Sequence, residues 1–280
     1  MIRLVFMEQA GTILISIVAV SVIFTLIERC FARGPQTPTW QRPDVGTDVG
    51  YALGLPIFSK LVTEPLLAVL LVSLYFLIVG KDGPVEDAGV FNTPITALSY
   101  WVQVPLILVL GDLLHYWLHR MFHLPGFWRY HAVHHSSPAL DWLSSARFHP
   151  VEKFIHRFAE IIPLYLCGFA PGVLLIYITV QSFWGLVVHS YLPWDFGPFR
   201  YVLASPAYHR WHHAAEAAYH DKNFAGLFPF LDTLFGTLYL PKGESPTVLG
   251  DGGHVPEGFW NQLVYPFKAA TPQPPSREDA

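Results

Sequence analysis

Residues 161–188, Ile161-Ile-Pro-Leu-Tyr-Leu-Cys-Gly-Phe-Ala-Pro-Gly-Val-Leu-Leu-Ile-Tyr-Ile-Thr-Val-Gln-Ser-Phe-Trp-Gly-Leu-Val-Val188, decide how the rest of the chain is arranged. The stretch is apolar throughout, with Gly168, Pro171 and Gly172 in its middle, where a straight helix would be interrupted. It reads as two packed arms of a helical hairpin, which returns the chain to the side it left. Groups of histidine stand before and after it, and they can share one site only if the number of membrane crossings between them is even.

Working outward, the flanking sequence supplies further spans. About Leu4 to Ile27 is long and apolar enough to cross a hydrocarbon core of about 30 Å. It lacks the charged start and small-residue cleavage site of a removable signal, so it is expected to be retained. Arg29, Arg33 and Arg42 follow it and place that flank on the cytoplasmic side, with the N-terminus outside. A second block from Tyr51 to Val79 contains Pro56, Lys60 and Glu64; its first part is expected at the interface, with Pro65 beginning the span. Lys81 to Thr93 suits a short external loop, and Pro94 to Leu114 a third span. From Asp112 to Glu152 the chain is rich in histidine, arginine and tryptophan and is expected to leave the bilayer.

Composition agrees. Charged residues make up 14% of the 280 residues and hydrophobic residues 52%, a balance that points to lipid as the main solvent. The net charge of -4 and the absence of a lysine and arginine stripe exclude nucleic acid as a partner. Only Cys30 and Cys167 are present, too few for a disulfide framework or a cysteine metal knuckle. The fold class that follows is all-α, a multi-pass membrane helical bundle with a cytoplasmic-side helical cap carrying the histidine clusters. Residues 1–270 read as a single catalytic domain, with 271–280 a disordered tail.

The 14 histidines are grouped. His119 and His123 are four apart and share one helix face. His131, His134 and His135 repeat the pattern i, i+3, i+4, and so do His209, His212 and His213. An isolated i, i+4 pair is more often an ordinary packing or surface feature than a metal site. A His-x-x-His-His triplet occurring twice is hard to reach by chance, and three imidazoles per helix can serve two adjacent metals. Ser205 followed by Pro206 makes an N-cap and first turn, placing the third group at the start of a helix. Leu124-Pro-Gly126 allows the first two groups to converge by a turn. Neutral imidazole suits iron, copper, zinc and nickel, while the absence of His-Glu-x-x-His argues against a zinc protease.

Several ordered motifs carry a family likeness: Asp112-Leu-Leu-His-Tyr-Trp-Leu-His-Arg-Met-Phe-His123, Phe127-Trp-Arg-Tyr-His-Ala-Val-His-His-Ser136, Arg147-Phe-His-Pro-Val-Glu152, Pro206-Ala-Tyr-His-Arg-Trp-His-His213 and Leu234-Phe-Gly-Thr237. Over 112–237 the chain resembles the sterol desaturase and fatty acid hydroxylase superfamily. The resemblance implies two non-haem iron ions held by His119, His123, His131, His134, His135, His209, His212 and His213, with His189 at the end of the hairpin matching a further ligand. No catalytic residue beyond these ligands is implied. It also implies a lipid substrate, hydroxylated or desaturated with dioxygen. Removal of one hydrogen followed by hydroxyl transfer gives an alcohol, and removal of a second gives an alkene. Electrons must come from outside, from a cytochrome b5-like or ferredoxin-like donor, because no dinucleotide fingerprint or iron-sulfur cysteine set is present. Phe224, Ala225 and Leu231 depart from the family pattern after the third histidine group and leave the ligands untouched.

Supporting roles are less specific. Asp112, Glu152, Asp195 and Asp232 are candidates for orienting ring nitrogens, and each serves equally well as a helix cap or surface ion pair. His149 is expected to bond Glu152 or a ligand, or to touch metal, and His115 to be buried and hydrogen-bonded. His156, His220 and His254 read as structural or solvated. Arg120, Arg129, Arg147, Lys153 and Arg157 suit a donor-docking face, with a cytoplasmic basic collar near anionic lipid as the plainer reading. Two other classes fit histidine-rich membrane chains: a b-type haem electron-transfer protein, whose ligands would stand singly within spans, and a metal transporter or metal-dependent hydrolase.

Overall fold

A computed structural model describes residues 2–32, 38–42, 44–80, 91 and 93–268. Among them the regular structure is helical, with no strand beyond an isolated bridge between Ala214 and Leu249. The long helices are α1 (Ile2–Phe31), α2 (Val45–Phe58), α3 (Glu64–Val79), α4 (Tyr100–Phe122), α6 (Pro150–Leu166) and α7 (Pro171–His189), with the short α5 (Trp128–His135) between α4 and α6. Short helices α8 (Pro206–His212), α9 (Phe230–Phe235) and α10 (Phe259–Val264) complete the chain. The expected external loop falls almost wholly outside the described residues, as does the tail after 268.

Four helical stretches are long and apolar enough to cross a membrane: Leu14–Phe31, Val45–Val79, Tyr100–Phe122 and Pro171–His189. Their outward faces are greasy in a way that only lipid tolerates: Trp101 is 91% exposed and Leu77 80%. Helices α2 and α3 run on through one wide turn at Ser59–Thr63 into a single rod, with Pro65 in the first turn of α3. Such a turn absorbs the hydrogen bond that a proline inside a helix cannot make. The third span starts at Tyr100 and continues to Phe122 rather than ending at Leu114, so His115 and His119 belong to the same helix that crosses the bilayer.

The hairpin forms as read, with α6 and α7 joined through Cys167–Ala170 and Pro171 in the first turn of α7. Its core is Ile107, Leu164, Phe169, Val173 and Tyr177, packed between α4, α6 and α7. Gly111 permits the α4–α7 approach: a methyl group there would overlap the Tyr177 ring.

A buried ion-pair network fastens the start of α2 to the segment after α5. Arg42 pairs with Asp44 at 3.0 Å, Asp48 at 2.6 Å and Asp141 at 2.8 Å, and Arg147 with Asp44 at 2.7 Å and Asp48 at 2.5 Å. Arg147 is 2% exposed. It is therefore not part of a docking face or collar, and Arg42 is not a surface flank charge, because each is already neutralised inside the protein.

Candidate metal centre

The nine histidines singled out in the sequence come together in two adjacent groups. His119, His123, His131, His135 and His212 form one; His134, His189, His209 and His213 form the other; all nine side chains are buried, and within each group the ligating nitrogens lie within 4.8 Å of one another. The helical spacing produces this division. On α5, His131 and His135 are one turn apart and face the first group, while His134 turns toward the second. On α8 the allocation is reversed, with His209 and the C-cap residue His213 in the second group and His212 in the first. Ser205 starts α8 as read, accepting a hydrogen bond from the Tyr208 N–H at 3.1 Å. The rings of His135 and His213 stack across the two groups with centroids 4.4 Å apart. The two sides of the hairpin thus meet, with His135 and His212 ring centroids 4.7 Å apart.

Each imidazole is aimed by what its other nitrogen touches. Nδ1–H of His119 donates to Phe224 O at 2.8 Å, that of His134 to Arg147 O at 3.0 Å, that of His189 to Gly185 O at 2.7 Å and that of His212 to Lys222 O at 2.8 Å. A carbonyl only accepts, so these rings carry their proton on Nδ1 and present a lone pair on Nε2. His131 Nδ1 lies 2.6 Å from Glu152 Oε1. The Nε2 atoms then converge: His134 and His189 approach to 3.2 Å, and His119 and His131 to 3.1 Å. Nε2 of His123 and of His212 is buried with no hydrogen-bond partner. Burial first, and repulsion from neighbouring imidazoles second, hold His131, His135, His212 and His213 well below the usual imidazole value. Neutral, unprotonated nitrogen is the form that binds metal.

Only one of the four acids named from sequence touches a member of the two groups. Glu152 does, and burial pushes its carboxyl up to about 8 against the pull of Lys153. Asp112 instead accepts from the N–H groups of Gly226 at 2.9 Å, Leu227 at 2.9 Å and Phe228 at 2.7 Å. Asp232 accepts from Phe224 N at 2.7 Å, Ala225 N at 3.0 Å, Thr237 Oγ1 at 2.7 Å and the Tyr208 hydroxyl. Together they shape the loop whose carbonyls orient His119 and His212. Asn223 adopts a left-handed backbone conformation, φ 59°, at the start of that loop, which its side chain supports by bonding Tyr208 O and Tyr239 O. Asp195 lies outside the site and caps Gly197. His149 neither bonds Glu152 nor joins either group: it caps α6 by accepting from Val151 N and reaches Leu263 O through Nε2.

A third cluster was missed. His115 and His156 both point Nδ1 at Glu160 Oε1, at 3.1 and 3.0 Å, and Tyr177 donates to Glu160 Oε2 at 3.1 Å. The hydrogen bond expected for His115 is there, but the residue is only half-buried. His156, expected to be structural or solvated, belongs to this cluster, and Glu152, His156 and Glu160 recur every four residues along α6 and share a face.

A cavity of about 650 Å³ opens from this centre between α1, α2, α6 and α7. Its wall includes His119, His131, His134, His189 and His209, and apolar residues such as Trp142 and Leu55. It reaches the half-buried Ile17 and Val20 on α1, a helix long and apolar enough to cross a membrane. The histidines stand in compact groups, not singly in separate spans as a haem protein would have them.

Comparison with known proteins agrees with this arrangement. The fatty acid hydroxylase family model matches residues 104–237. An ornithine lipid hydroxylase, OlsE of Rhizobium tropici, is 31% identical over 260 residues, covering 88% of this chain and 72% of the relative. An alkylglycerol monooxygenase of Danio rerio is 35% identical over 134 residues, 48% of this chain and 29% of the relative. A C-4 methylsterol oxidase, erg25 of Schizosaccharomyces pombe, is 32% identical over 152 residues, 51% of this chain and 49% of the relative. No solved structure matches significantly. The match to OlsE across most of both chains, with a site made of the same histidine groups that the family model spans, places this protein in the fatty acid hydroxylase family of the sterol desaturase superfamily, membrane oxidoreductases that act on lipids.

Proposed function

We propose that this chain is a non-haem di-iron oxygenase that draws a lipid from the bilayer into the cavity and hydroxylates or desaturates it. The observation that carries the reading is the convergence of buried imidazole lone pairs at the inner end of a lipid-facing cavity. Lone pairs 3.2 Å apart in a dry site repel, and a cation between them turns that repulsion into attraction. The donor set fits iron: neutral nitrogens, closely grouped, with their outer nitrogens anchored. His119, His123, His131, His135 and His212 would hold one ion, and His134, His189, His209 and His213 the other. Bound iron supplies the reduction of dioxygen and the removal of hydrogen from an unactivated carbon, which side chains cannot do unaided.

The protein's own part is positioning. Glu152 fixes the His131 ring, and a positive charge beyond that ring favours the carboxylate form of Glu152. The apolar cavity excludes water and holds the lipid chain against the histidine groups. Residues 1–270 act as one catalytic unit, the histidine groups face the cytoplasm, and a separate cytochrome b5-like or ferredoxin-like protein delivers electrons there. The relatives' names span an ornithine lipid, an alkylglycerol and a methylsterol. What they share is oxidation of a lipid, and that is the activity proposed.

Lipid profiles of cells expressing the chain, set against cells expressing His134→Ala, test the reading. A new hydroxylated or unsaturated lipid should appear with the wild type and vanish with the variant. Purified protein should contain about two irons and show no Soret band. A product that persists in the variant, or a haem spectrum, would overturn the assignment.

A further inference from the structure

The cavity is not uniformly apolar. Helix α6 turns Lys153 and Arg157, one helical turn apart, onto its wall. Among the described residues neither makes an ion pair with a carboxylate. The acids nearest to them are engaged elsewhere: Glu160 by His115, His156 and Tyr177, and Glu152 by His131. Those carboxylates offset part of the cost of holding two cations beside lipid, yet they leave the cationic N–H groups unclaimed. In a mostly apolar cavity the few charged groups on the wall are the ones that orient a ligand.

Lys153 is also held close to the chemistry. Its ammonium sits 3.7 Å above the centroid of Phe148, and Phe148 stacks on His134 with centroids 3.9 Å apart and planes 17° from parallel. The ammonium is thus no more than about 8 Å from the His134 ring.

We propose that Lys153 and Arg157 form an acid-group subsite: they bind the carboxylate or phosphate of an anionic lipid and thereby fix which carbons of that lipid lie against the histidine groups. With carbon–carbon bonds of about 1.5 Å, an extended chain advances roughly 1.25 Å per bond. The span from Lys153 to His134 then corresponds to about six bonds, and because Phe148 lies between them a bound chain runs around its ring, so oxidation falls at least about six carbons from the acid group. The inference rests on the cavity being the lipid site.

The test measures binding without turnover, by quenching of tryptophan fluorescence in the full chain held in neutral detergent above neutral pH; Trp142 lines the cavity. The probes are dibromostearate, its methyl ester, and lysophosphatidate with the same brominated chain. Wild type should bind at least one acid probe about tenfold more tightly than the ester. Lys153→Gln with Arg157→Gln should abolish that preference and leave ester binding unchanged. The exchange Lys153→Arg with Arg157→Lys keeps both charges and should keep the preference. Preference for dibromostearate alone assigns a carboxylate, and preference for the lysophosphatidate alone a phosphate headgroup. Equal affinity for acid and ester in the wild type overturns the subsite, as does an acid preference that survives the double glutamine variant. Metal content is read on the same samples: about two irons with no acid preference sinks the subsite alone, whereas wild type that holds no iron sinks the oxygenase reading itself.

Discussion

Replacing Asp112 with alanine should unfold the site from a distance. The Asp112 carboxylate is 0% exposed and is the common acceptor for three consecutive backbone N–H groups, those of Gly226, Leu227 and Phe228. Alanine leaves all three donors without a partner, and a buried polar group so orphaned costs about 1–3 kcal/mol. Such losses do not add fully, because the loop can relax and admit water, so the low end of each gives about 3 kcal/mol as the working figure. For a chain of this size, at about 2–4 °C per kcal/mol, the thermal midpoint in detergent should fall by about 6–12 °C. The same loop supplies the Phe224 and Lys222 carbonyls that aim His119 and His212, so retained metal should drop as well. Asp112→Asn, which keeps one acceptor oxygen, should fall between. Asp195→Ala removes an exposed carboxylate that caps Gly197 and should shift the midpoint by about 1 °C or less. Thermal unfolding followed by circular dichroism, with metal content on the same samples, is the assay. An Asp112→Ala protein as stable and as metal-replete as wild type would refute the claim that this carboxylate holds the loop.

Three further outcomes follow from the geometry. Gly111→Val should fold poorly, because even the first side-chain carbon would overlap the Tyr177 ring; overpacking of this kind costs about 1–3 kcal/mol or more, and size-exclusion profiles of the detergent-solubilised protein will show whether it does. Glu152→Gln should weaken iron binding about 10–100-fold by replacing the carboxylate that fixes the His131 ring with an uncharged, weaker acceptor, read by competition with a chelator. Metal-free protein should lose stability as pH falls. Burial depresses the folded-state values of His131, His134, His135, His209, His212 and His213, so the unfolded chain takes up more protons once pH drops below the ordinary imidazole value. Glu152, raised to about 8, works the other way and costs stability as pH rises towards that value, but six histidines outweigh one carboxyl, so the midpoint should decline as pH falls below about 6.5; a flat profile between neutral and mildly acid pH would count against buried neutral imidazoles.

Much of the site could be read before any coordinates, because helical spacing is a local property. His131, His134 and His135 must share a face of α5 wherever that helix lies, and the apolar hairpin had to return the chain for His209, His212 and His213 to join them. The division into five and four is not local: which turn of α8 faces which turn of α5 depends on how the helices approach. The ion pairs of Arg42 and Arg147 were hidden for the same reason, since Arg147 and Asp48 are 99 residues apart. That α2 and α3 run on as one rod was not legible either, since the wide turn at Ser59–Thr63 carries no motif. Glu160 escaped notice for want of a motif, although its spacing with Glu152 and His156 was visible.

The carbonyl partners left no trace in the sequence at all, because a backbone acceptor is the same whatever side chain stands at its position. His119 is aimed by the backbone of Phe224, and His212 by the backbone of Lys222, while the buried Phe224 ring itself packs against His119, His123 and His212. What must not vary is whatever holds the backbone: Asp232 on the N–H groups of Phe224 and Ala225, Asp112 on the next three, and Asn223 in its left-handed turn. An acidic partner would add a negative charge beside each ligand, whereas a carbonyl orients the ring and leaves the charge of the site unchanged. Among the nine, four are anchored by carbonyls, His131 by a buried carboxylate, and His123 by the part-exposed Asp221 at 3.4 Å. Such a site would leave more of the positive charge on any ions it binds, and the buried aspartates Asp112 and Asp232 act on the fold of the loop and not on the rings directly.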